Sequence, residues 1–169
     1  MHVMIATDGT LDPKRVAAVA SRLAADGGRV SVFTVVEVPR RLLADMRAAA
    51  SEPDERLQEV TTEYRTTQAE DQSPIRWIGD DNVVARYVRS KVADAVGPLG
   101  AALTEAGVEH EIIGEEGEDA TGAILAAVGE HDVDILCIGP CGLGRFEGLL
   151  GSTSTKLARR APCSVVLVR

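Results

Sequence analysis

The chain has 169 residues, which is enough for one domain with a sizeable hydrophobic core. Its composition is 45% hydrophobic but only 3% aromatic, so Val, Ala, Leu and Ile must fill that core. The net charge of −8 argues against a surface that binds nucleic acid or an anionic membrane, because both need clustered Lys and Arg.

No stretch of the sequence reaches the roughly 18 apolar residues that a membrane-spanning helix requires. The N-terminus lacks the basic-then-apolar pattern of a signal peptide, since His2 already begins an apolar run. We therefore predict a cytoplasmic protein with no membrane segment.

Residues 1–36 predict a β-α-β unit. The apolar run from His2 to Ala6 is typical of a buried strand, and the run from Val30 to Val36 of a second one. Between them, Asp12 is placed to cap a helix that has Pro13 at its first position, where the missing N–H costs nothing. The two strands should be parallel and their crossover right-handed.

Asp8 lies at the predicted carboxyl end of the first strand, which is where open α/β sheets bind ligands. A carboxylate there can accept hydrogen bonds from a sugar hydroxyl or a base amino group. The alternative is that Asp8 only forms a turn with Gly9, which is the commoner use of an Asp-Gly pair.

The middle of the chain is less regular. Within residues 37–81, the stretches 40–50 and 55–64 have helical patterns, whereas 68–74 is polar and has no periodicity. Residues 82–106 predict a long helix, in which Gly97-Pro98 should introduce a kink or a split. Residues 108–113 predict a third strand, and Asp119 or Thr121 should cap the helix that follows.

The C-terminal stretch combines two strands with a glycine- and hydroxyl-rich loop. An apolar run from Val133 to Ile138 is followed by glycines, then by hydroxyl residues that open a short helix, and the run from Ser164 to Val168 predicts a last strand. Glycines allow a close backbone approach, and the first turn of a helix receives phosphate readily. The alternative is that Ser152 is merely an N-cap and that the glycines only make turns.

This stretch resembles the nucleotide loop of the universal stress protein family. Gly139-Pro140-Cys141-Gly142 and Gly151-Ser152-Thr153-Ser154 are similar to the Gly-x2-Gly-x9-Gly-Ser/Thr pattern of its ATP-binding members, with a spacer of eight residues instead of nine. The resemblance implies that ATP or AMP is the ligand, with Mg²⁺ recruited by its phosphates. The nucleotide-binding residues that it implies are Ala6, Thr7, Asp8, Val35, Gly139, Gly142, Gly151, Ser152, Thr153 and Ser154.

The predicted fold class is α/β, because each strand but the last is followed by a helix. The resemblance implies a Rossmann-like, open, parallel five-stranded sheet of order 3-2-1-4-5 with helices on both faces. It also implies a single domain over residues 1–169, with a long variable insertion at about 37–81. In that order the last strand is an apolar edge, which invites pairing with another chain. We therefore predict a homodimer joined through residues 164–168.

Catalytic motifs are absent from the sequence. It contains neither a P-loop nor a Gly-x-Ser-x-Gly elbow, and His2, His110 and His131 are scattered and are predicted to be structural rather than catalytic. The leading interpretation is a nucleotide-binding stress regulator. A stress-family interaction module that has lost nucleotide binding is the first alternative, and a slow ATP hydrolase ranks last. Cys137 is predicted to be a buried apolar residue, whereas the role of Cys141 in the loop stays open.

Overall fold

The computed structural model describes residues 1–25, 27–38, 75–76, 82–140 and 151–169. The predicted insertion at 37–81 therefore falls almost entirely outside the described residues, as do Cys141 and Gly142. The described strands and helices alternate along the chain as follows: β1 (His2–Ala6), α1 (Pro13–Leu23), β2 (Arg29–Val36), β3 (Ile75–Arg76), α2 (Asn82–Glu105), β4 (His110–Glu116), α3 (Ala120–Glu130), β5 (Ile135–Ile138), α4 (Ser152–Arg160) and β6 (Ser164–Leu167).

All described strands pair in parallel in one sheet of order β3-β4-β2-β1-β5-β6. Without the two-residue β3, the five longer strands have the predicted order 3-2-1-4-5, and the predicted α/β fold class is confirmed. β3 adds a sixth strand beside β4, with Ile75 paired to Ile112. A two-residue strand has no periodicity that a sequence pattern reveals.

Helices cover both faces of the sheet, as predicted. On one face α1 and α2 enclose a core that includes Val3, Ile5 and Val32. On the other face α3 and α4 pack against Met4, Phe33 and Leu136 in a second core. Alternate residues of β1 point to opposite cores, which is the period-two pattern of a strand buried on both sides.

Two strands begin later than the apolar pattern predicts, and the reason is the same at both. The N–H of Val108 donates to Leu103 O, and the N–H of Val133 donates to Val128 O, at 2.9 and 3.1 Å. Each follows a residue with positive φ, Gly107 at 70° and Asp132 at 50°. This is the Schellman ending of a helix, so both valines complete the preceding helix instead of starting a strand.

Helix α2 runs without interruption through Gly97 and Pro98, so the predicted split is wrong. Proline removes the hydrogen bond to the carbonyl four residues earlier, which belongs to Asp94. Both Asp94 and Pro98 are exposed, so water is available to that carbonyl. The cost of an interior proline is smallest on this side of a helix.

The capping predictions agree with the structure. Asp12 caps α1 by accepting from Arg15 N at 3.0 Å, and Asp119 caps α3 by accepting from Thr121 N at 3.0 Å. Over the described ranges, none of the helices is long and apolar enough to cross a bilayer.

Candidate nucleotide-binding site

A crevice is expected where the winding of the sheet reverses, between β1 and β5. From β1 the chain proceeds to β2 and β4 on one side, and it then crosses to β5 and β6 on the other. β1 and β5 pair directly, with Ile5 beside Cys137. Continuing this register places Thr7 beside Gly139, so the loops that follow the two strands leave from neighbouring positions.

The first of these loops is held in a defined shape by its own side chains. Asp8 Oδ1 accepts hydrogen bonds from the N–H of Thr10 at 3.0 Å and from its hydroxyl at 2.5 Å, while Thr7 Oγ1 accepts from Gly9 N at 3.0 Å. Asp8 is therefore the turn-forming residue of the more ordinary interpretation. Its other carboxylate oxygen accepts no hydrogen bond from the described part of the chain, and the side chain is exposed. The same residue thus shapes the loop with one oxygen and leaves the second oxygen available to a ligand.

Gly9 fixes the position of this loop against helix α2. Its φ of +88° lies in the left-handed region, where a side chain is strained. A Cβ at this position would lie 3.2 Å from Cα of Ala95. The loop therefore rests directly on the backbone of the helix.

The second loop ends at α4, whose first turn is tied to the end of β5. Gly151 N donates to Pro140 O at 2.8 Å, and Ser154 Oγ donates to Gly139 O at 2.7 Å. Gly151, and not Ser152, takes the N-cap position, and no side chain among the described residues caps this helix. The N–H groups at its start are thus free of the side-chain acceptor that occupies the starts of α1 and α3, and Ser152 is exposed beside them.

The predicted site residues fall into three groups. Thr7, Asp8, Gly139, Gly151, Ser152 and Thr153 lie at the adjoining loop ends. Ser154 lies there too, but it is 7% exposed and its hydroxyl points to Gly139 O. Ala6 and Val35 belong to the sheet, with their side chains in the core between Phe33 and α3, so either residue can offer a ligand only its backbone.

Gly142, the remaining predicted residue, lies outside the described residues. Thr10 is not among the predicted site residues, although its N–H and hydroxyl both donate to Asp8 Oδ1 and so orient the Asp8 carboxylate. The signal for it is the Asp-Gly-Thr order, because an Asp side chain commonly accepts from the backbone two residues later.

The three histidines lie at the opposite, amino-terminal edge of the sheet. His2 begins β1, His110 begins β4, and His131 precedes β5. His2 is 5% exposed, with Nε2 2.8 Å from Ser31 Oγ and Nδ1 2.9 Å from His131 O. Burial lowers the pKa of His2, and the nearby Arg29 guanidinium lowers this pKa further. The three imidazoles are thus remote from the crevice, and their structural role stays a prediction.

Cys137 is buried in β5, as predicted, and burial raises the pKa of its thiol to about 11. A thiol with this pKa is protonated at neutral pH and is a poor nucleophile. Among the residues that the structure describes, no group of three or more His, Cys, Asp or Glu could hold a metal ion.

A groove of about 520 Å³ lies next to the first loop, between the start of α1 and the second half of α2. Its lining includes Thr10, Lys14, Pro98 and Ala102. It is a feature of the helical layer and not of the strand ends, so it is separate from the crevice.

The family model of the universal stress protein family matches this chain over residues 1–169. Two curated universal stress proteins, from two strains of Mycobacterium tuberculosis, are 26% identical to it over 133 residues. That match covers 78% of this chain but only 38% of the length of those relatives.

Solved structures show the same fold. A universal stress protein from Archaeoglobus fulgidus matches with a TM-score of 0.58 at 16% identity, over 100% of this chain and 98% of the other. A universal stress protein in complex with cAMP matches with a TM-score of 0.57 at 18% identity, over 100% and 96% of the two chains. A family member from Arabidopsis thaliana with AMP bound has a TM-score of 0.53 at 17% identity, over 99% and 90%. The family model spans every residue and therefore shows that the chain belongs to the universal stress protein family.

Proposed function

We propose that this protein is an adenine-nucleotide-binding regulator that holds ATP or AMP in the crevice between β1 and β5. The observation that carries the proposal is the junction of the two loops at neighbouring strand ends. One loop presents a free carboxylate oxygen of Asp8, and the other presents the uncapped start of α4 beside Ser152.

The two sides of the crevice differ in charge, and a nucleotide has the matching asymmetry. The carboxylate of Asp8 accepts hydrogen bonds, as ribose hydroxyls or an adenine amino group can donate them. The start of α4 carries a partial positive charge and unpaired N–H groups, which suit phosphate. Relatives of the same fold include proteins solved with cAMP, AMP and dAMP, which supports an adenine nucleotide as the ligand class.

The proposal is for binding and not for rapid turnover. The described side chains on the two loops that meet at the crevice are a carboxylate and hydroxyls, and the histidines lie at the other edge of the sheet. Mg²⁺, if it takes part, would be held mainly by the phosphates of the nucleotide and by water. The alternatives are an interaction module that does not bind nucleotide, because of the spacer of eight residues, and a slow ATP hydrolase.

The test begins with native mass spectrometry of gently purified protein, which should show a mass increase equal to ATP or AMP. Isothermal titration with ATP then compares Asp8→Ala with Glu109→Ala, which removes the same charge from an exposed site at the opposite edge of the sheet. Losing hydrogen bonds to a charged group should raise the Kd of Asp8→Ala about tenfold or more. The Glu109→Ala variant should bind like wild type.

The outcomes separate the alternatives. Wild-type protein that neither carries nor binds nucleotide favours the interaction module. Equal affinities of Asp8→Ala and Glu109→Ala would place the nucleotide elsewhere. Multiple-turnover phosphate release that is lost in Asp8→Ala would favour the hydrolase.

We further propose that two copies pair along β6. The N–H of Ser164 donates to Asp134 O, just before β5, and the N–H of Val168 donates to Ile138 O at the end of β5. Because residues alternate in direction along a strand, the N–H groups of Val165 and Leu167 face outward. Leu167 is 37% exposed on this edge. Val168, which was predicted as part of the strand, follows its end and is buried against α1 and α2.

The direction of the N–H groups defines the variants that test the dimer. Leu167→Pro removes an outward donor and should convert a dimer to a monomer in light scattering while the circular dichroism spectrum is kept. Val166→Pro removes an inward donor and should destabilise the fold itself. A Leu167→Pro variant with the mass of wild-type dimer would refute pairing through this edge.

A further inference from the structure

We propose that Lys91, oriented by Tyr87, forms part of the wall of the nucleotide crevice and attracts the phosphates of the bound nucleotide. This inference rests on the proposed function. It makes α2 a third element of the site, beside the Asp8 loop and the glycine loop, and it assigns the recognition of phosphate charge to a cation on that helix.

The contact between α2 and β4 shows how close Lys91 and Tyr87 lie to the carboxyl edge of the sheet. Gly114 lies two residues before the end of β4, and a methyl group there would overlap Cγ2 of Val92. Toward the other end of β4, Gly100 lies against His110. The helix therefore runs toward the carboxyl edge of the sheet as its residue numbers decrease, so Lys91 reaches that edge and Tyr87 extends about 6 Å farther.

Their direction follows from the contact between α2 and the Asp8 loop. Ala95 rests against Gly9, at 3.2 Å from the position of a Cβ. Residues four apart are neighbours on a helix surface, so Lys91 lies one turn beyond Ala95 on the side that faces this loop, and Tyr87 lies one turn beyond Lys91. Pro98 is exposed, and it lines the groove between α1 and α2 together with Thr10, which belongs to this loop. Lys91 is seven residues before Pro98 and thus on the same side of the helix, which is consistent with the contact of Ala95.

The charge of Lys91 is not used by an ion pair with any described residue. Its Nζ lies 5.8 Å from the centroid of the Tyr87 ring, within the range of a cation–π contact. Tyr87 is half-buried against the core of α1 and α2, so the ring is a fixed platform for a side chain that is otherwise exposed. The contact orients the ammonium group and leaves it accessible to an anion.

An ammonium group at this position has a clear effect on a nucleotide. The protein carries a net charge of −8, which repels ATP, and a local cation at the mouth offsets that repulsion. The attraction acts over about 8–10 Å at physiological ionic strength. Its effect should therefore grow with the number of phosphates, from adenosine through AMP to ATP, and should shrink in salt.

The test measures Kd for ATP, AMP and adenosine by isothermal titration at low and high salt. Lys91→Ala should raise the Kd for ATP about two- to fivefold at low salt, the range of exposed charge pairs, with no change for adenosine. Lys91→Arg should restore the affinity. Tyr87→Phe should bind like wild type, because its ring remains, whereas Tyr87→Leu should reproduce part of the loss.

Arg89→Ala is the matched control. Arg89 is also an exposed cation of α2, but two residues along a helix is more than half a turn, so it faces away from Lys91. Equal ATP affinities of Lys91→Ala and Arg89→Ala would overturn this inference and leave the proposed function intact. A loss that is the same for adenosine as for ATP would also overturn it. Wild-type protein that binds none of the three ligands would overturn both.

Discussion

Replacing Gly9 by Ala should weaken both the fold and the nucleotide site, and Gly107→Ala supplies the control. Both glycines have positive φ, +88° and +70°. A Cβ at Gly107 would meet nothing within 4 Å, whereas a Cβ at Gly9 would lie 3.2 Å from Cα and 3.4 Å from the carbonyl oxygen of Ala95. The pair therefore separates backbone strain from steric conflict.

The magnitude follows from these two terms. A side chain in the left-handed region costs about 1–2 kcal/mol, and the loss of glycine freedom in the unfolded chain returns about 0.4–1 kcal/mol. Gly107→Ala should thus lower the free energy of unfolding by about 0–1.6 kcal/mol. Gly9→Ala bears the same terms plus overpacking against helix backbone, which cannot rotate away, and should cost a further 1–3 kcal/mol or so.

Urea denaturation followed by circular dichroism measures this difference, and ATP titration of the folded variants measures its effect on the site. Gly9 adjoins Asp8, so a loop displaced from α2 should bind ATP more weakly, while Gly107→Ala should bind like wild type. Equal destabilisation by the two substitutions would refute the packing of the loop on α2. Normal ATP affinity in a clearly destabilised Gly9→Ala would refute the assignment of this loop to the site.

Three further substitutions test the fold and its electrostatics. Burial lowers the pKa of His2, so the unfolded state binds a proton on this imidazole more tightly than the folded state does. The contribution of His2 to the free energy of unfolding should therefore be fully present above the ordinary pKa of 6.5 and should fall as the pH drops below it. Urea titrations at pH 7.5 and 5.5 should show a smaller fall in His2→Asn than in wild type. Gly114→Ala should lower the free energy of unfolding by about 1–3 kcal/mol in the same urea titrations, because the added methyl group would overlap Val92 and a helical valine has one preferred rotamer, so its side chain cannot turn away. The double variant with Val92→Ala should lose less stability than the sum of the two single variants. Burial, and to a lesser extent the nearby Glu130, raises the pKa of Glu115, so the contribution of Glu115 to the free energy of unfolding falls as the pH rises above about 4.5. Glu115→Gln should therefore stabilise the protein at pH 7, by at most about 0.5 kcal/mol, and should not stabilise it at pH 4.

The features that the sequence predicts correctly are local ones. Asp12 and Asp119 cap helices because an N-cap needs only a side-chain oxygen and a nearby N–H. The burial of Cys137 follows from the apolar run around it. The order of the strands is not a local feature, because pairing between distant segments leaves no local pattern in the sequence. Only the family resemblance predicts this order.

The features that the sequence does not predict depend on neighbours in space. Pro98 is tolerated because it faces solvent, which a linear pattern does not show. Ser154 looked like an open phosphate donor, but its hydroxyl is directed to Gly139 O across the end of β5. The contact of Gly9 with Ala95 joins segments far apart in the chain, so the role of α2 at the crevice appears only in the folded structure.

The two edge strands of the described sheet differ in length, and this difference bears on how copies of the protein can assemble. β3 occupies part of the outer side of β4, while β6 has β5 on one side only. A strand that pairs with its own copy about a two-fold axis uses up that margin in both molecules. Growth of a continuous sheet beyond two subunits would need pairing at the other margin, where the outermost described strand, β3, offers only two residues. The short strand thus favours a closed pair over an open-ended fibre.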